Sequence, residues 1–292
     1  MKMSNTAIRH RSLAALVLAF AFLLACLAGC AANGQNGQSS SSSSQSPQQS
    51  ISTSAAKSVE GEIIGIIGAM DAEVDLLKSE AGAQNTITIA GMGFYEGALD
   101  GKPVVIVKCG MGKVNAGICA HTLINYFGCT KVINTGVAGS LDNRLNIGDI
   151  VVSTDAVQHD FDVSAIGFEK GEIPYTGLYA FPADEKLREA AMSAAREAGP
   201  YIQVLEGRVC SGDQFISTKE QRDEITSSFG GLCCEMEGAA IAQTCYLNDV
   251  PFVVIRAISD KPDETQVEEY HEFESKAAML CAALVEYMVE FI

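Results

Sequence analysis

The most constraining feature of the chain is a series of short apolar segments, rich in β-branched residues, that alternate with longer helix-like segments. The predicted strands are residues 63–67, 103–108, 131–134, 149–152 and 252–258. The predicted helices are residues 72–79, 114–126, 184–198, 235–247 and 274–291. Strands that are apolar throughout are typical of sheets covered on both faces. This alternation predicts an α/β fold in which a largely parallel sheet lies between layers of helices.

The 232 residues from 61 to 292 suffice for one large α/β domain with a substantial core. They contain no internal repeat and no second linker. Hydrophobic residues make up 48% of the chain and charged residues 19%, which is ordinary globular composition. We therefore expect one domain over residues 61–292.

The charge of the chain argues against nucleic acid as a partner. Acidic residues outnumber basic ones by 36 to 20, which gives a formal charge of −16. Such a surface repels phosphate backbones and anionic lipid headgroups. We expect a small molecule as the ligand.

The first 29 residues have the pattern of a bacterial lipoprotein signal peptide. Three basic residues precede an apolar run over residues 13–27, and the run ends in the sequence LAGC at 27–30. This ending resembles a lipobox, which would make Cys30 the lipidated first residue of the mature chain. A plain signal peptide or an uncleaved anchor helix are the alternatives, although the apolar run is short for a membrane span.

Residues 30–60 are predicted to be a flexible tether that follows the lipidated cysteine. The segment is rich in Ser and Gln and has almost no apolar side chain to bury. Together with the signal, it predicts a lipid-anchored protein of the bacterial cell envelope that faces outside the cytoplasm.

Eight cysteines remain in the predicted domain, and most of them lie within apolar segments: Cys109, Cys119, Cys129, Cys210, Cys233, Cys234, Cys245 and Cys281. No CxxC pair and no Cys/His set with zinc spacing is present among them. We interpret them as small buried hydrophobic residues in preference to disulfides, and we expect no metal.

Acidic residues occur where apolar strands end, which is where open α/β sheets gather their ligands. Glu73 follows the first strand, in the first turn of a helix, where an acid also complements the helix dipole. Glu235 and Glu237 bracket Met236 among small residues, which favours a site over a solvated helix start. Asp260 ends the strand that begins at residue 252, although it could also cap the turn that follows.

Arg256 lies inside that last strand. A buried guanidinium without a partner is very costly, so Arg256 requires a buried acid.

Six blocks of sequence, in order and covering nearly all of residues 63–292, resemble the 5′-methylthioadenosine/S-adenosylhomocysteine nucleosidases. The blocks are GIIGAMDAEV at 65–74, KCGMGKVNA at 108–116, INTGVAGSL at 133–141, SGDQFI at 211–216, EMEGAA at 235–240 and PFVVIRAISD at 251–260. The resemblance implies a three-layer α/β/α domain with a mixed, mostly parallel and partly barrelled sheet of the nucleoside phosphorylase type. It also implies a homodimer, a purine thionucleoside substrate, and neither metal nor organic cofactor.

The same resemblance implies three catalytic acids for cleavage of the bond between adenine and ribose. Asp260 would donate a proton to the imidazole side of the purine, with Ser259 assisting, and burial would keep its carboxyl protonated. Glu73 would activate water on the opposite face of the sugar. Glu237 would accept hydrogen bonds from the ribose hydroxyls and stabilise the developing cation.

Recognition of the base and of the sulfur substituent is also implied. Phe215 would stack on adenine, and the backbone of Ile216 would bind its edge. Unbranched thioethers would line the ribose and the 5′ group, namely those of Met70, Met111 and Met236. Without the resemblance, ordinary core packing would be the better explanation for each of these side chains.

Three further positions complete the prediction. Tyr270 would close over the alkylthio group, and Arg256 would orient Glu73 or its water. Val137 stands where some relatives have a serine whose hydroxyl helps to hold that water, so this support is missing here.

Three other functions compete with the nucleosidase prediction. A nucleoside phosphorylase would present basic residues to phosphate, whereas this chain places Glu73 at the expected attack face. Hydrolases of aminofutalosine or of AMP share the same motifs. A surface nucleoside-binding lipoprotein of weak activity is the non-enzymatic alternative, and the presence of all three acids argues against it.

Overall fold

The computed structural model describes residues 61–82, 84–198, 202–261 and 266–292. The predicted signal peptide, the lipidated Cys30 and the predicted tether lie outside these ranges. Within them, no helix is both long enough and apolar enough to cross a membrane.

Ten strands and six α-helices make up the described residues. The strands are β1 Ile64–Gly68, β2 Asn85–Ile89, β3 Met92–Leu99, β4 Lys102–Lys108, β5 Lys131–Ser140, β6 Ile150–Gln158, β7 Phe181–Pro182, β8 Val204–Ser211, β9 Cys233–Glu235 and β10 Phe252–Asp260. The helices are α1 Asp71–Glu80, α2 Lys113–Asn125, α3 Glu185–Ala198, α4 Lys219–Phe229, α5 Gly238–Leu247 and α6 Gln266–Val289.

The sheet is partly closed into a barrel. Strands β5, β10, β6, β8 and β9 pair in a ring, because β10 pairs with both β6 and β5 while β9 pairs with both β8 and β5. From β5 the sheet continues outwards as β1, β4, β3 and β2, and β7 pairs with β6. Among the described strands, five pairings are parallel and five antiparallel.

Helices cover both faces of this sheet. Helices α1, α3 and α6 pack together on one face, around Val74, Leu77, Leu187 and Val285. Helices α2 and α5 pack together on the other face, around Cys119, Leu123 and Ile241. This arrangement confirms the predicted α/β class, with three layers and a mixed central sheet.

The predicted elements are present, but several of their bounds were wrong. The strand expected over 131–134 continues to Ser140, and the one expected over 149–152 continues to Gln158. The helix expected from residue 235 begins only at Gly238, because Glu235 ends β9. In this segment the small residues pack against α2, whereas the two residues before Glu235 pair with β5.

All eight cysteines of the domain are free and buried, which confirms their interpretation as small hydrophobic residues. Burial raises the pKa of every one of these thiols. In the described part of the chain, no group of three or more His, Cys, Asp or Glu side chains is placed to hold a metal ion.

Candidate active site

The candidate site lies where the carboxyl ends of β1, β5 and β10 meet. These three strands are parallel neighbours, so the residues that follow β1 and the last residues of β10 reach the same edge of the sheet. Asp260 at the end of β10 lies opposite Gly139 of β5. A Cβ atom at position 139 would stand 3.0 Å from Oδ2 of Asp260, so the absence of a side chain there gives the carboxyl its space.

Backbone N–H groups near the carboxyl ends of β1 and β5 hold the Glu73 carboxylate. Its Oε2 accepts hydrogen bonds from Ala69 N at 2.6 Å and Met70 N at 2.9 Å, and its Oε1 accepts one from Val137 N at 3.0 Å. Burial raises the pKa of this carboxyl, while the charge of Arg256 and the three N–H donors oppose the rise. A raised pKa makes this carboxylate a stronger base than an exposed glutamate, as a general base requires.

Gly136 explains why a glycine stands in the NTGVAG block. A Cβ atom at this position would lie 2.4 Å from Oε1 of Glu73 and 3.0 Å from Nη1 of Arg256. Neither group could yield without breaking the contacts that hold the Glu73 carboxylate. The backbone of β5 at Gly136, which carries no side chain, therefore forms part of the pocket that holds the Glu73 carboxylate.

Glu237 occupies the N-cap position of α5 and faces the cavity. Its Oε1 accepts a hydrogen bond from Gly112 N at 2.7 Å, just before the first residue of α2. Burial, followed by the charge of the neighbouring Glu235, raises the pKa of Glu237 to about 8. Near neutral pH this carboxyl therefore retains its proton more readily than an ordinary glutamate does.

Arg256 has a different main partner from the one expected. Its Nη2 forms a buried ion pair with Glu235 and a hydrogen bond of 2.6 Å with Asn134 Oδ1, and it lies 3.9 Å from Oε2 of Glu237. The expectation that a buried arginine needs a buried acid is confirmed, but the acid is Glu235. Arg256 acts on Glu73 only through its charge.

Glu235 is the residue that the sequence interpretation left without a role. It accepts hydrogen bonds from the backbone N–H groups of Glu237 and Gly238 and from the hydroxyl of Ser211. It therefore anchors both Arg256 and the start of α5. The EME pattern marked this position as acidic, but only the course of β9 shows that its side chain points at Arg256.

Asp260 is buried beside Ser259. The Ser259 hydroxyl donates a hydrogen bond of 2.7 Å to Oδ1 of Asp260, which fixes the orientation of the carboxyl plane. Both residues end β10, which is buried along its whole length. The serine can turn its hydroxyl as the carboxyl gains or loses a proton.

A cavity of about 290 Å³ brings these groups together. Of the predicted site residues, its wall contains Met70, Glu73, Met111, Val137, Phe215, Ile216, Met236, Glu237, Ser259 and Asp260. Arg256 lies behind the wall, against Glu235 and Glu237. The backbone of Tyr270 belongs to α6, but its side chain lies outside the described part of the structure, so its role stays a prediction.

The wall is mostly apolar, with carboxyl groups at separate points. Phe215 and Met111 are half exposed at its rim, which leaves flat apolar surface for a planar ring and its substituents. Such a cavity suits a largely apolar ligand whose cleavage needs one proton donor, one proton acceptor and one stabiliser of positive charge.

Comparisons with known proteins agree on one family. Residues 63–290 match the model of the Phosphorylase superfamily. A 5′-methylthioadenosine/S-adenosylhomocysteine nucleosidase of Psychromonas ingrahamii is 43% identical over 221 residues, which are 74% of this chain and 95% of that protein.

Solved structures give the same result. The nucleosidase of that name from Neisseria meningitidis, in complex with methylthio-immucillin-A, superposes with a TM-score of 0.77 at 38% identity and covers 79% of this chain and 100% of that one. The futalosine hydrolase of Helicobacter pylori superposes with a TM-score of 0.76 at 34% identity and covers 80% of this chain and 99% of that one.

Proposed function

The chain belongs to the phosphorylase superfamily and, within it, to the 5′-methylthioadenosine/S-adenosylhomocysteine nucleosidases, and on that premise we propose a substrate and a mechanism. It is a hydrolase of N-glycosyl compounds that cleaves methylthioadenosine, adenosylhomocysteine or both, releasing adenine and the thioribose product. The observation that carries the proposal is one cavity that unites Glu73, Glu237 and Asp260 with a mostly apolar wall.

The first step is departure of the base. As the bond between adenine and ribose stretches, negative charge develops on the purine and positive charge on the sugar. Asp260 protonates the imidazole side of the departing purine, and Ser259 keeps its carboxyl oriented through the 2.7 Å hydrogen bond. Phe215 and Ile216 hold the base from the wall of the cavity.

The second step is attack by water. Glu73, fixed by three backbone N–H groups, accepts a proton from water on the far face of the sugar. Glu237 accepts hydrogen bonds from the ribose hydroxyls, and in its ionised form it stabilises the cationic sugar. Val137 donates its backbone N–H to Glu73 but has no side-chain hydroxyl with which to hold the water.

The decisive test is adenine release by the purified protein without added phosphate or metal. The substrates should include methylthioadenosine, adenosylhomocysteine, aminofutalosine, AMP and adenosine. We expect release from the first two at the highest kcat/KM. Strict dependence on phosphate would support the phosphorylase alternative, and tight binding without release would support a receptor.

We further propose that the protein is a lipoprotein of the bacterial envelope, with Cys30 lipidated and residues 30–60 as its tether. The support is the sequence LAGC at 27–30 and the polar segment that follows it. Metabolic labelling with a fatty-acid analogue should tag the wild-type chain and not Cys30→Ala. Equal labelling of both would overturn this proposal.

A homodimer is the assembly that we propose for the domain. The support is an apolar surface on the outer sides of α2 and α5, which we call the α2/α5 face: Val114, Ile118, Tyr126, Tyr246 and Leu247, each at least 41% exposed. Exposed apolar groups concentrated on two packed helices are typical of an interaction surface.

A further inference from the structure

Two segments of backbone that are distant in sequence contribute to the cavity wall. The turn before α2 supplies Met111 to the wall and the N–H of Gly112 to Glu237. The segment after β8 supplies Phe215 and Ile216. About 100 residues of chain separate the two, and the nucleosidase mechanism uses both at once.

A cluster of charged groups joins the two segments directly. Asp213 Oδ1 accepts a hydrogen bond of 2.8 Å from the backbone N–H of Lys113, and Asp213 N donates one of 2.8 Å to Oδ2 of Asp160. The ammonium group of Lys113 lies 2.5 Å from Oδ1 of the same Asp160. One carboxylate oxygen of Asp160 thus binds Lys113 beside the turn before α2, and the other binds the segment after β8.

The cluster also holds the donor of Glu237. Gly112 and Lys113 contribute consecutive backbone N–H groups, of which the first binds Glu237 and the second binds Asp213. Gly112 has a φ of +98°, and a Cβ atom there would stand 3.1 Å from Oδ1 of Asp213. A residue with a side chain would be strained at this φ and would crowd the Asp213 carboxylate.

The ion pair at its centre is shielded. The side chains of Lys113 and Asp160 are 17% and 16% exposed, and Gln158 accepts a further hydrogen bond from the ammonium group at 3.1 Å. Although burial opposes it, the hydrogen bonds from Lys113 and Asp213 hold the pKa of Asp160 below its ordinary value. Charge-assisted bonds of this kind are stronger and more directional than exposed ion pairs.

We propose that Lys113, Asp160 and Asp213 form a clamp that sets the separation between the ribose-binding and base-binding walls of the cavity. The proposal rests on the nucleosidase function and deepens it. The three are positioning residues, because they act through the Gly112 N–H, Met111, Phe215 and Ile216. A ligand that spans both walls depends on the clamp, whereas adenine alone contacts mainly one wall.

The test compares a spanning ligand with a short one. In Lys113→Met and in Asp160→Asn we expect the KM for methylthioadenosine to rise about tenfold, kcat to fall less than threefold, and the inhibition constant of adenine to change less than threefold. The two effects should be non-additive in the double variant, because both changes break the same bond. Lys113→Arg should recover most of the loss.

Lys170→Met is the matched control, because Lys170 pairs at 2.8 Å with Glu224 on a neighbouring surface. Lys170→Met should leave the KM for methylthioadenosine and the inhibition constant of adenine unchanged. Equal losses for methylthioadenosine and adenine, or additive losses in the double variant, would overturn the clamp.

Melting temperatures are measured in parallel. If Lys113→Met does not fold, Asp160→Asn and Lys113→Arg give the same comparison. If the wild-type protein releases no adenine, the proposed function fails, and calorimetric dissociation constants for the same two ligands still test the clamp separately.

Discussion

Of the acidic residues that line the cavity, Glu73, Glu237 and Asp260 have different roles, and their immediate neighbours determine these roles. Glu73 receives three backbone N–H donors, Glu237 receives one and lies beside another acid, and Asp260 is paired with a serine hydroxyl. Similar side chains in different surroundings thus take the roles of base, cation stabiliser and acid.

The residue whose loss should matter most is the proton donor. In Asp260→Asn we expect kcat for adenine release to fall about 100- to 10,000-fold, the usual contribution of general acid catalysis. The amide keeps the size of the side chain, so nucleoside affinity measured by calorimetry should change less than tenfold. Asp223→Asn, at an exposed position of α4, is the control and should retain full activity. More than a tenth of wild-type turnover in Asp260→Asn would contradict the assigned role.

Ionisation of Glu237 should make the stability of the folded protein depend on pH. Because its pKa is raised to about 8 in the folded protein, its contribution to stability is complete at pH values below the ordinary carboxyl range and is lost as pH rises through about 8. Gln cannot ionise, so the free energy of unfolding of Glu237→Gln relative to wild type should rise by about 4 kcal/mol between pH 5 and pH 9.

Urea unfolding at the two pH values measures this difference. Glu220→Gln, at an exposed position of α4, is the control and should change by less than about 0.5 kcal/mol. A relative stability of Glu237→Gln that does not vary with pH would show that the carboxyl is not buried as an acid.

For single residues, the sequence was sufficient to assign the acids to the site but not to identify the groups that bind them. Glu73 and Asp260 could be assigned to the cavity because each follows an apolar strand, and strand ends share one edge. The partner of Arg256 could not be assigned, because two acids were available and the choice depends on the path of β9. The Lys113 clamp was also out of reach, since it joins three distant segments.

Among the elements, β5 contributes to the active site through its backbone, which lies against the Glu73 carboxylate. Gly136→Ala would place a methyl group only 2.4 Å from Oε1 of Glu73, which would have to move. We expect kcat to fall at least about 100-fold, since a displaced base loses its contribution to catalysis. Gly117→Ala in α2 is the control, because a Cβ atom there would meet Thr244 Oγ1 at an ordinary 3.7 Å, and it should retain wild-type turnover. Wild-type turnover in Gly136→Ala would mean that Glu73 can move without consequence.

The elements that the sequence predicted are the ones with a simple pattern. Strands β1, β4 and β10 are buried on both faces and are recognisable as apolar runs. Strand β8 was missed because Glu206, Gly207 and Arg208 interrupt it, and α4 was missed because it is mostly polar. Both are stabilised by tertiary contacts that no local pattern records.

For the whole molecule, the proposed homodimer depends on the α2/α5 face. Val114 on this face is 73% exposed, so Val114→Asp should leave the fold intact while adding a charge to the proposed interface. Sedimentation velocity should show a dimer for the wild type and at least a tenfold weaker association for the variant. Met279→Asp, which changes an exposed apolar residue on α6, should remain dimeric. A monomeric wild type would refute the assembly.

The direction of β1 has a consequence for how the catalyst would meet its surroundings. The chain enters the domain beside Ile64, and the cavity begins beyond Gly68, at the other end of the same strand, about 16 Å away. If residues 30–60 are the proposed tether, they join the domain at the end of β1 that lies away from the cavity. Attachment at that end would leave the other end of the strand open to diffusing nucleosides.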